Sequence, residues 1–345
     1  MAFLKTCWYA AIWLCDVPDG APVGRIIAGE RMVFWRTAAD RVAALADACP
    51  HRKAPLSFGM LQDDQIVCRY HGLGFGADGA CVINPHGPLQ ESLAVRSYPV
   101  AMQDGMVWVW TGRADKADPA LIPPVLAFTR TMPVTAYVTG YLHARAGHKL
   151  FEDNLLDPGH ADYLHPFLGG GAMSRAKRTI EKTANSLRLS LVKEAWAYPP
   201  MFRPAMRDPD DPADNWAEVF WNPNGAVLIL VGATSVGRPR EDGVITWTAH
   251  IFTPESETTT HYLYASGRNY NVDDADYNAE LAKGLRASFV TEDVWMLEGQ
   301  QAVLGETDLL DAKPQLFPMD NASVQARRLF DGLVAAEQGE AMAVN

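Results

Sequence analysis

The 345-residue chain has no apolar run that approaches the roughly 18 residues a membrane-spanning helix needs. Positive charge is also short: 30 Lys and Arg against 41 Asp and Glu leave a formal net charge of -11. The first shortage speaks against a spanning helix, and the second against non-specific nucleic-acid binding, which needs a basic surface to release counterions. Low-complexity tracts and internal repeats are missing, so neither a disordered chain nor a solenoid is expected. Cysteine is scarce, with five residues at positions 7, 15, 49, 68 and 81. An odd set, two of which are claimed below for metal, offers no disulfide framework and suits a reducing cytoplasm. The apolar stretch 8–14 behind Lys5 lacks an A-x-A-like cleavage site and ends at Asp16, which reads as folded structure rather than a secretory leader. What remains is the composition of an ordinary globular protein, 48% hydrophobic and 21% charged. Its length supports two domains with their own cores.

Two short pieces stand out against that background, Cys49-Pro50-His51-Arg52 and Cys68-Arg69-Tyr70-His71. Each puts Cys first and His second. Zinc fingers usually place both Cys in one piece and both His in the other. A Rieske-type [2Fe-2S] cluster instead takes two thiolates on one iron and two neutral imidazoles on the other. The mixed pieces favour such a cluster, held by Cys49, His51, Cys68 and His71, with structural zinc as the competing occupant. Mixed ligation lifts the potential above that of an all-Cys ferredoxin, so the centre should accept electrons readily.

The region around these pieces reads as all-β. A hairpin is expected over 25–35 with Gly29-Glu30 between its arms, and strands 42–46 and 65–67 lead into the two ligand pieces. Asp78-Gly79 and Asp104-Gly105 are hairpin turns, the latter splitting strands 95–100 and 106–110. The Pro-rich stretch 111–124 marks a boundary and closes a first domain at 1–117, leaving 118–345 as the second. There, strands are expected at 136–141, 226–231, 244–252 and 261–266, and helices at 151–164 and 277–304. An amphipathic helix over 323–338 should close the chain, with Arg327 and Arg328 on a solvated or ion-paired face. The fold class is α+β: an N-terminal all-β domain, then a domain with an antiparallel sheet and helices.

A second cluster of chemistry lies at 154–165, where His160 and His165 follow Asn154 and Asp157. Five residues place the two imidazoles about 140° apart on a helix, so both reach one metal only if the helix breaks. Pro158 and Gly159 supply a break, with Asp157 as N-cap and Pro158 first in the next turn. An isolated His pair is more often structural. In a chain that also collects electrons at a cluster, a 2-His-1-carboxylate Fe(II) site with open positions for O2 is the natural sink.

With the flanking Ala54-Pro55-Leu56-Ser57 and Gly72-Leu73, the Cys/His pieces resemble the Rieske domain of the non-haem iron aromatic-ring oxygenases. The stretch Asp157 to His165 resembles that family's D-x2-H-x4-H piece, most closely in the vanillate O-demethylase group. Trp8-Tyr9-Ala10, Pro85-His86-Gly87, 252–258, Arg268-Asn269 and 324–329 extend the likeness over nearly the whole chain, while Pro158 stands where relatives carry Leu. The resemblance implies that Asp293 completes an iron triad with His160 and His165. Its rivals are Glu292 and Glu298; Glu292 lies about 100° round the helix and would point away if Asp293 points in. It further implies that Asp157 links a cluster His to an iron His, against the plainer role of helix cap, and that Asn154 sits close to the metal.

The same resemblance implies a cycle: NAD(P)H electrons arrive through a separate flavin and iron-sulfur reductase, pass through the cluster, and activate O2 at Fe(II). A methoxylated aromatic acid would be demethylated with release of formaldehyde, by a head-to-tail homotrimer in which one subunit's cluster serves its neighbour's iron. Arg52, Lys53 and Arg69 would receive an acidic reductase or be solvated loop charges. His250 would contact substrate or be a satisfied core histidine, and Trp247, Phe252, Met173 and Phe289 would wall the pocket or be ordinary core. The alternatives are an oxygenase that hydroxylates or N-dealkylates another aromatic or polycyclic substrate, and a Rieske electron carrier with no oxygenase activity.

Overall fold

The computed structural model describes residues 3–165, 173–206 and 210–344. Two compact units emerge, Met1–Ile122 with Thr253–Ser256, and Pro123–Phe252 with Glu257–Asn345.

In the first unit the strand Glu30–Arg36 explains why its letters alternate poorly. Successive side chains face opposite sides of a strand. Met32 and Phe34 enter one core with Tyr9, Ile12 and Val107, while Val33 and Trp35 enter another with Cys49, Leu56 and Cys68. Both faces are buried, so neither needs polar residues. This strand is the centre of an antiparallel sheet with Val23–Ile27 and Val42–Ala46. A second sheet orders Trp8–Trp13, Met106–Trp110 and Val100–Gln103; a third orders Met60–Gln62, Gln65–Val67, Gly74–Phe75 and Cys81–Ile83.

The first hairpin turns one residue earlier than expected. Ala28 (φ 49) and Gly29 (φ 77) are its central residues, and Glu30 pairs with Ile27 inside the ladder. Two positive φ values are what a type I′ turn demands. Asp104 (φ 56) and Gly105 (φ 74) make the same turn at the expected place. The strand expected from 95 begins only at Val100, and Ser97 keeps one isolated bridge to Leu45. Pro99 has no N–H to give a longer ladder.

The second unit is built on a seven-stranded antiparallel sheet in the order Tyr137–Ala144, Thr260–Arg268, Val244–Pro254, Ala226–Ser235, Ala213–Trp221, Leu187–Trp196, Lys177–Lys182. The four expected strands are present and longer. The three between 177 and 221 add to them, with Leu187, Leu189 and Leu191 buried and Arg188 and Ser190 between them less so.

Helices are His148–Leu156, Ala275–Ser288, Trp295–Leu304 and Asn321–Val344. The first of the middle pair starts at Asp274, whose carboxylate accepts from Tyr277 N–H at 2.8 Å. A six-residue π-helix, Phe289–Val294, joins it to the second, so the expected helix 277–304 is continuous but locally widened. The expected helix 151–164 is broken: a 3-10 turn, Pro158–His160, separates His148–Leu156 from the short helix Ala161–Leu164. On the last helix Arg328 is exposed, whereas Arg327 is ion-paired but buried, to Asp153 and Asp308. Among the described residues no helix is long and apolar enough to cross a membrane.

Candidate active site

Cys49 and Cys68 occupy equivalent places in two loops that close in the same way. Cys49 N–H donates to Ala54 O at 2.9 Å and Lys53 N–H returns to Cys49 O at 2.8 Å; Cys68 N–H donates to Leu73 O at 2.8 Å and Gly72 N–H returns to Cys68 O at 2.9 Å. The residue that turns each loop is left-handed, Lys53 at φ 59 and Gly72 at φ 75. Both cysteines are buried, His51 is exposed and His71 is half-buried. Burial pushes the Cys49 thiol up, and its hydrogen-bonded neighbour Cys68 adds to that. The rings of His51 and His71 lie 4.4 Å apart. The donors therefore come as a thiol pair and an imidazole pair, one pair for each iron of a mixed-ligand cluster. A single tetrahedral zinc would need all four to converge; among the described residues the set of three or more ligand atoms that converges is a different one. Desolvation, then the charges of His51, Arg52 and His86, lower the pKa of His71 and favour the neutral ring that ligation needs.

That converging set is His160, His165 and Asp293, whose ligand atoms all lie within 4.8 Å of one another. The break at Asp157 makes it possible. Asp157 Oδ1 accepts from Gly159 N–H at 3.0 Å and Pro158 opens the next turn. His165 leaves the helical region at φ -120, ψ 76, and the two imidazoles stand edge to face with centroids 5.1 Å apart. Each ring is anchored through Nδ1, His160 on the backbone oxygen of Asp157 and His165 on Glu292 Oε2 at 2.6 Å. These partners assign the proton to Nδ1 and leave Nε2 as a lone pair. Asp293 Oδ1 lies 3.1 Å from Nε2 of His165 and 3.8 Å from Nε2 of His160, buried and without a hydrogen-bond partner.

Acceptors facing one another in a buried site are unfavourable for protein alone. A cation between them resolves the conflict, and two imidazoles with one carboxylate are the donor set of a facial Fe(II) site. The two carboxylates draw positive charge to this point: burial would lower the pKa of His165, but its contacts with Asp293 and then Glu292 outweigh burial and raise it, so that without a metal a proton on Nε2 stands in for the cation.

Glu292 does not point away. In a π-helix the bonds run from i to i+5, the step per residue is smaller than in an α-helix, and Glu292 and Asp293 both reach the same imidazole from its two nitrogens. Ser288 Oγ donates to the same Glu292 oxygen at 2.6 Å. The other rival, Glu298, turns elsewhere and accepts from Arg145 N–H at 2.8 Å. Asn154 shares a cleft of about 450 Å³ with Asp157 and His160.

The triad opens on a cavity of about 150 Å³. Thr246, Thr248 and His250, alternate residues of one strand, line it opposite Ile229 and Val231 of the next, with Leu285 and Phe289 from the helix above. Met173 is part of the wall; Trp247 has the wrong parity, and Phe252 packs against Phe151 with centroids 5.0 Å apart. No Lys or Arg is among the described lining residues. His250 lines the cavity while its Nδ1 meets the Tyr262 hydroxyl at 2.7 Å, and burial pushes its pKa down to about 4. Thr246, Thr248 and Ser288 were not singled out in the sequence, and Glu292 entered it only as a rival ligand; the period-2 pattern T-x-T-x-H at 246–250 was the available signal for the two threonines.

Residues 7–99 match the family model of the Rieske [2Fe-2S] domain, and residues 144–336 that of the vanillate O-demethylase oxygenase C-terminal domain. The oxygenase component of chloroacetanilide N-alkylformylase from Rhizorhabdus wittichii is 34% identical over 348 residues, covering 97% of each chain. Two crystal structures of dicamba monooxygenase superpose on this chain. One, bound to dicamba, has a TM-score of 0.89 at 31% identity and covers 98% of this chain and 100% of that one. The other, with non-haem iron and dicamba, has a TM-score of 0.80 at 30% identity over 99% and 100%. Two matched domains, full-length relatives and two separate sets of candidate metal ligands lead to one assignment: the chain belongs to the Rieske non-haem iron oxygenases, as a monooxygenase component of the vanillate O-demethylase group that carries a [2Fe-2S] cluster and a mononuclear iron.

Proposed function

We propose that this protein is the terminal oxygenase of a two-component system that O-demethylates a methoxylated aromatic acid of the vanillate type. The observation that carries the reading is the convergence of His160, His165 and Asp293 on the wall of a buried, largely apolar cavity. In this reading Cys49, His51, Cys68 and His71 hold the cluster, and a bound mononuclear iron supplies O2 activation and insertion into a methyl C–H bond. The chain's own groups do the rest. Asp157 and Glu292 hold the two imidazoles with Nε2 forward, and the apolar walls exclude water. Neutral His250, tied to Tyr262, hydrogen-bonds the ring substituent. The hydroxylated methyl group is a hemiacetal, which falls apart to a phenol and formaldehyde, so that the methyl ether, one O2, one NAD(P)H and one proton yield phenol, formaldehyde, water and NAD(P)⁺.

A flavin and iron-sulfur reductase in the cytoplasm supplies the electrons, docking near the exposed Arg52, Lys53 and Arg69. The working form is a head-to-tail homotrimer, a ring closed by a heterologous interface. In it Asp157, with Asn154 beside it, relays electrons from a neighbour's cluster to His160.

One observation favours a second reading, hydroxylation or N-dealkylation of an uncharged aromatic. A carboxylate buried in this cavity would find no Lys or Arg among the described lining residues, and an unpaired buried charge is costly. The test supplies reductase and NADH, screens methoxylated benzoates beside uncharged methoxyarenes and N-alkyl anilides, and assays formaldehyde. Formaldehyde from the benzoates supports the first reading; product from the uncharged set alone selects the second. His160→Ala should abolish turnover and keep the cluster's colour, and an electron carrier would show about two irons per chain instead of three.

A further inference from the structure

Beside the triad stands a half-buried carboxylate that ligation does not use. Glu292 Oε2 accepts twice, from Nδ1–H of His165 at 2.6 Å and from Ser288 Oγ–H at 2.6 Å. An oxygen that receives two donors cannot itself be the donor, so the proton of the imidazole is fixed on Nδ1. The lone pair of Nε2 then faces Asp293 Oδ1, 3.1 Å away. The π-helix Phe289–Val294 lets two consecutive carboxylates flank a single ring.

We infer that Glu292 is a positioning residue for the mononuclear iron: it sets the tautomer and orientation of His165, and Ser288 in turn aims the carboxylate. The inference rests on the reading of His160, His165 and Asp293 as iron ligands. A carboxylate on the far nitrogen of a ligating histidine holds the ring at its metal and makes the ligand more basic, and loss of such a partner weakens metal binding 10- to 100-fold.

The experiment compares Glu292→Ala, Glu292→Gln, Ser288→Ala and His165→Ala in the full-length protein carrying its cluster. Two quantities are measured: the rate at which mononuclear ferrous iron is lost to a chelator, and the electron paramagnetic resonance signal of that iron after nitric oxide treatment. Glu292→Ala should lose iron about 10- to 100-fold faster and broaden the signal at unchanged cluster absorbance. Glu292→Gln, whose amide oxygen still accepts from Nδ1–H, should recover part of the loss, and Ser288→Ala should shift both readouts less and in the same direction. Iron retention and signal like wild type in Glu292→Ala would overturn the inference, as would a Gln variant no better than Ala. If Glu292→Ala does not fold, the Gln and Ser288 variants decide alone, and wild-type behaviour in both overturns it. Wild-type iron retention in His165→Ala would instead overturn the ligand reading beneath it.

Discussion

His165 and Asp293 face each other acceptor to acceptor, Nε2 against Oδ1 across 3.1 Å. The protein holds this contact without a hydrogen bond on the buried oxygen, so metal-free protein with a neutral His165 carries an unmet electrostatic demand, which a proton on Nε2 meets as pH falls. Asp293→Asn should relieve it, because the amide can donate to Nε2. At alkaline pH, where His165 is neutral, the metal-free variant is expected to be more stable than metal-free wild type by about 1 to 3 kcal/mol, and at any pH to retain no mononuclear iron. Calorimetric unfolding of both chelated proteins, with an iron count, checks this; an Asn variant less stable than wild type would show that the contact is not frustrated.

Glu152 should set the alkaline limb of the stability profile. Burial pushes its pKa up to about 8, against the lowering effects of the Trp221 hydrogen bond and of Arg327. Its folded value thus exceeds its unfolded one, the native state holds a proton that the unfolded state has lost, and stability falls as pH rises toward 8. His148 and His250, lowered by burial to about 3 and about 4, act below their unfolded value and oppositely, losing stability as pH falls. Between pH 6.5 and 8, wild type should lose roughly 2 kcal/mol. Glu152→Gln, which keeps an acceptor for Trp221 Nε1–H, should flatten that limb. Urea unfolding at several pH values measures the slope, and an unchanged slope in the variant would assign it to other groups.

Gly72 is the more exacting of the two loop-turning residues. At φ 75, a Cβ would also stand 3.1 Å from Pro85 Cγ. Gly72→Ala is expected to cost about 1 to 2 kcal/mol and to lower cluster content, read from visible absorbance and iron. Lys53, already left-handed with a side chain, should accept Gly with cluster content intact.

Arg327, itself buried, clamps two half-buried carboxylates, Asp153 at 2.5 Å and Asp308 at 2.8 Å. Arg327→Met leaves both without their cation, and breaking such a pair costs about 3 to 5 kcal/mol. Denaturant unfolding of the variant should show a loss in that range. A loss under about 1 kcal/mol would mean that the pair contributes no more than an exposed one.

Both candidate metal constellations stand out in the letters because their residue types are rare and ordered: Cys and His in mixed pieces, and His160 and His165 beside a Pro-Gly break. The π-helix could not, since nothing in Phe289–Val294 distinguishes one widened turn from an α-helical one, and the angular argument from 100° steps then sent Glu292 outward. The strands of 177–221 were obscured by charged residues on their exposed face, although Leu187, Leu189 and Leu191 alternate plainly. Arg327 was expected on a solvated or ion-paired face; the ion pairing is there, but its burial was hidden because its partners, Asp153 and Asp308, lie 174 and 19 residues away. Such long-range pairing leaves no trace in local pattern.

The widened turn at Phe289–Val294 is equivalent to one residue spliced into an otherwise regular coil. Excising any single residue there would let the coil relax to ordinary pitch, with better internal bonding and worse aim. Leu281 and Leu285 could keep their places on the cavity wall only if everything after the splice rotated by about a quarter turn. Chain length within this stretch is therefore as restricted as the identity of the acids it presents, and one-residue gaps should be tolerated far better in the neighbouring helical turns than here.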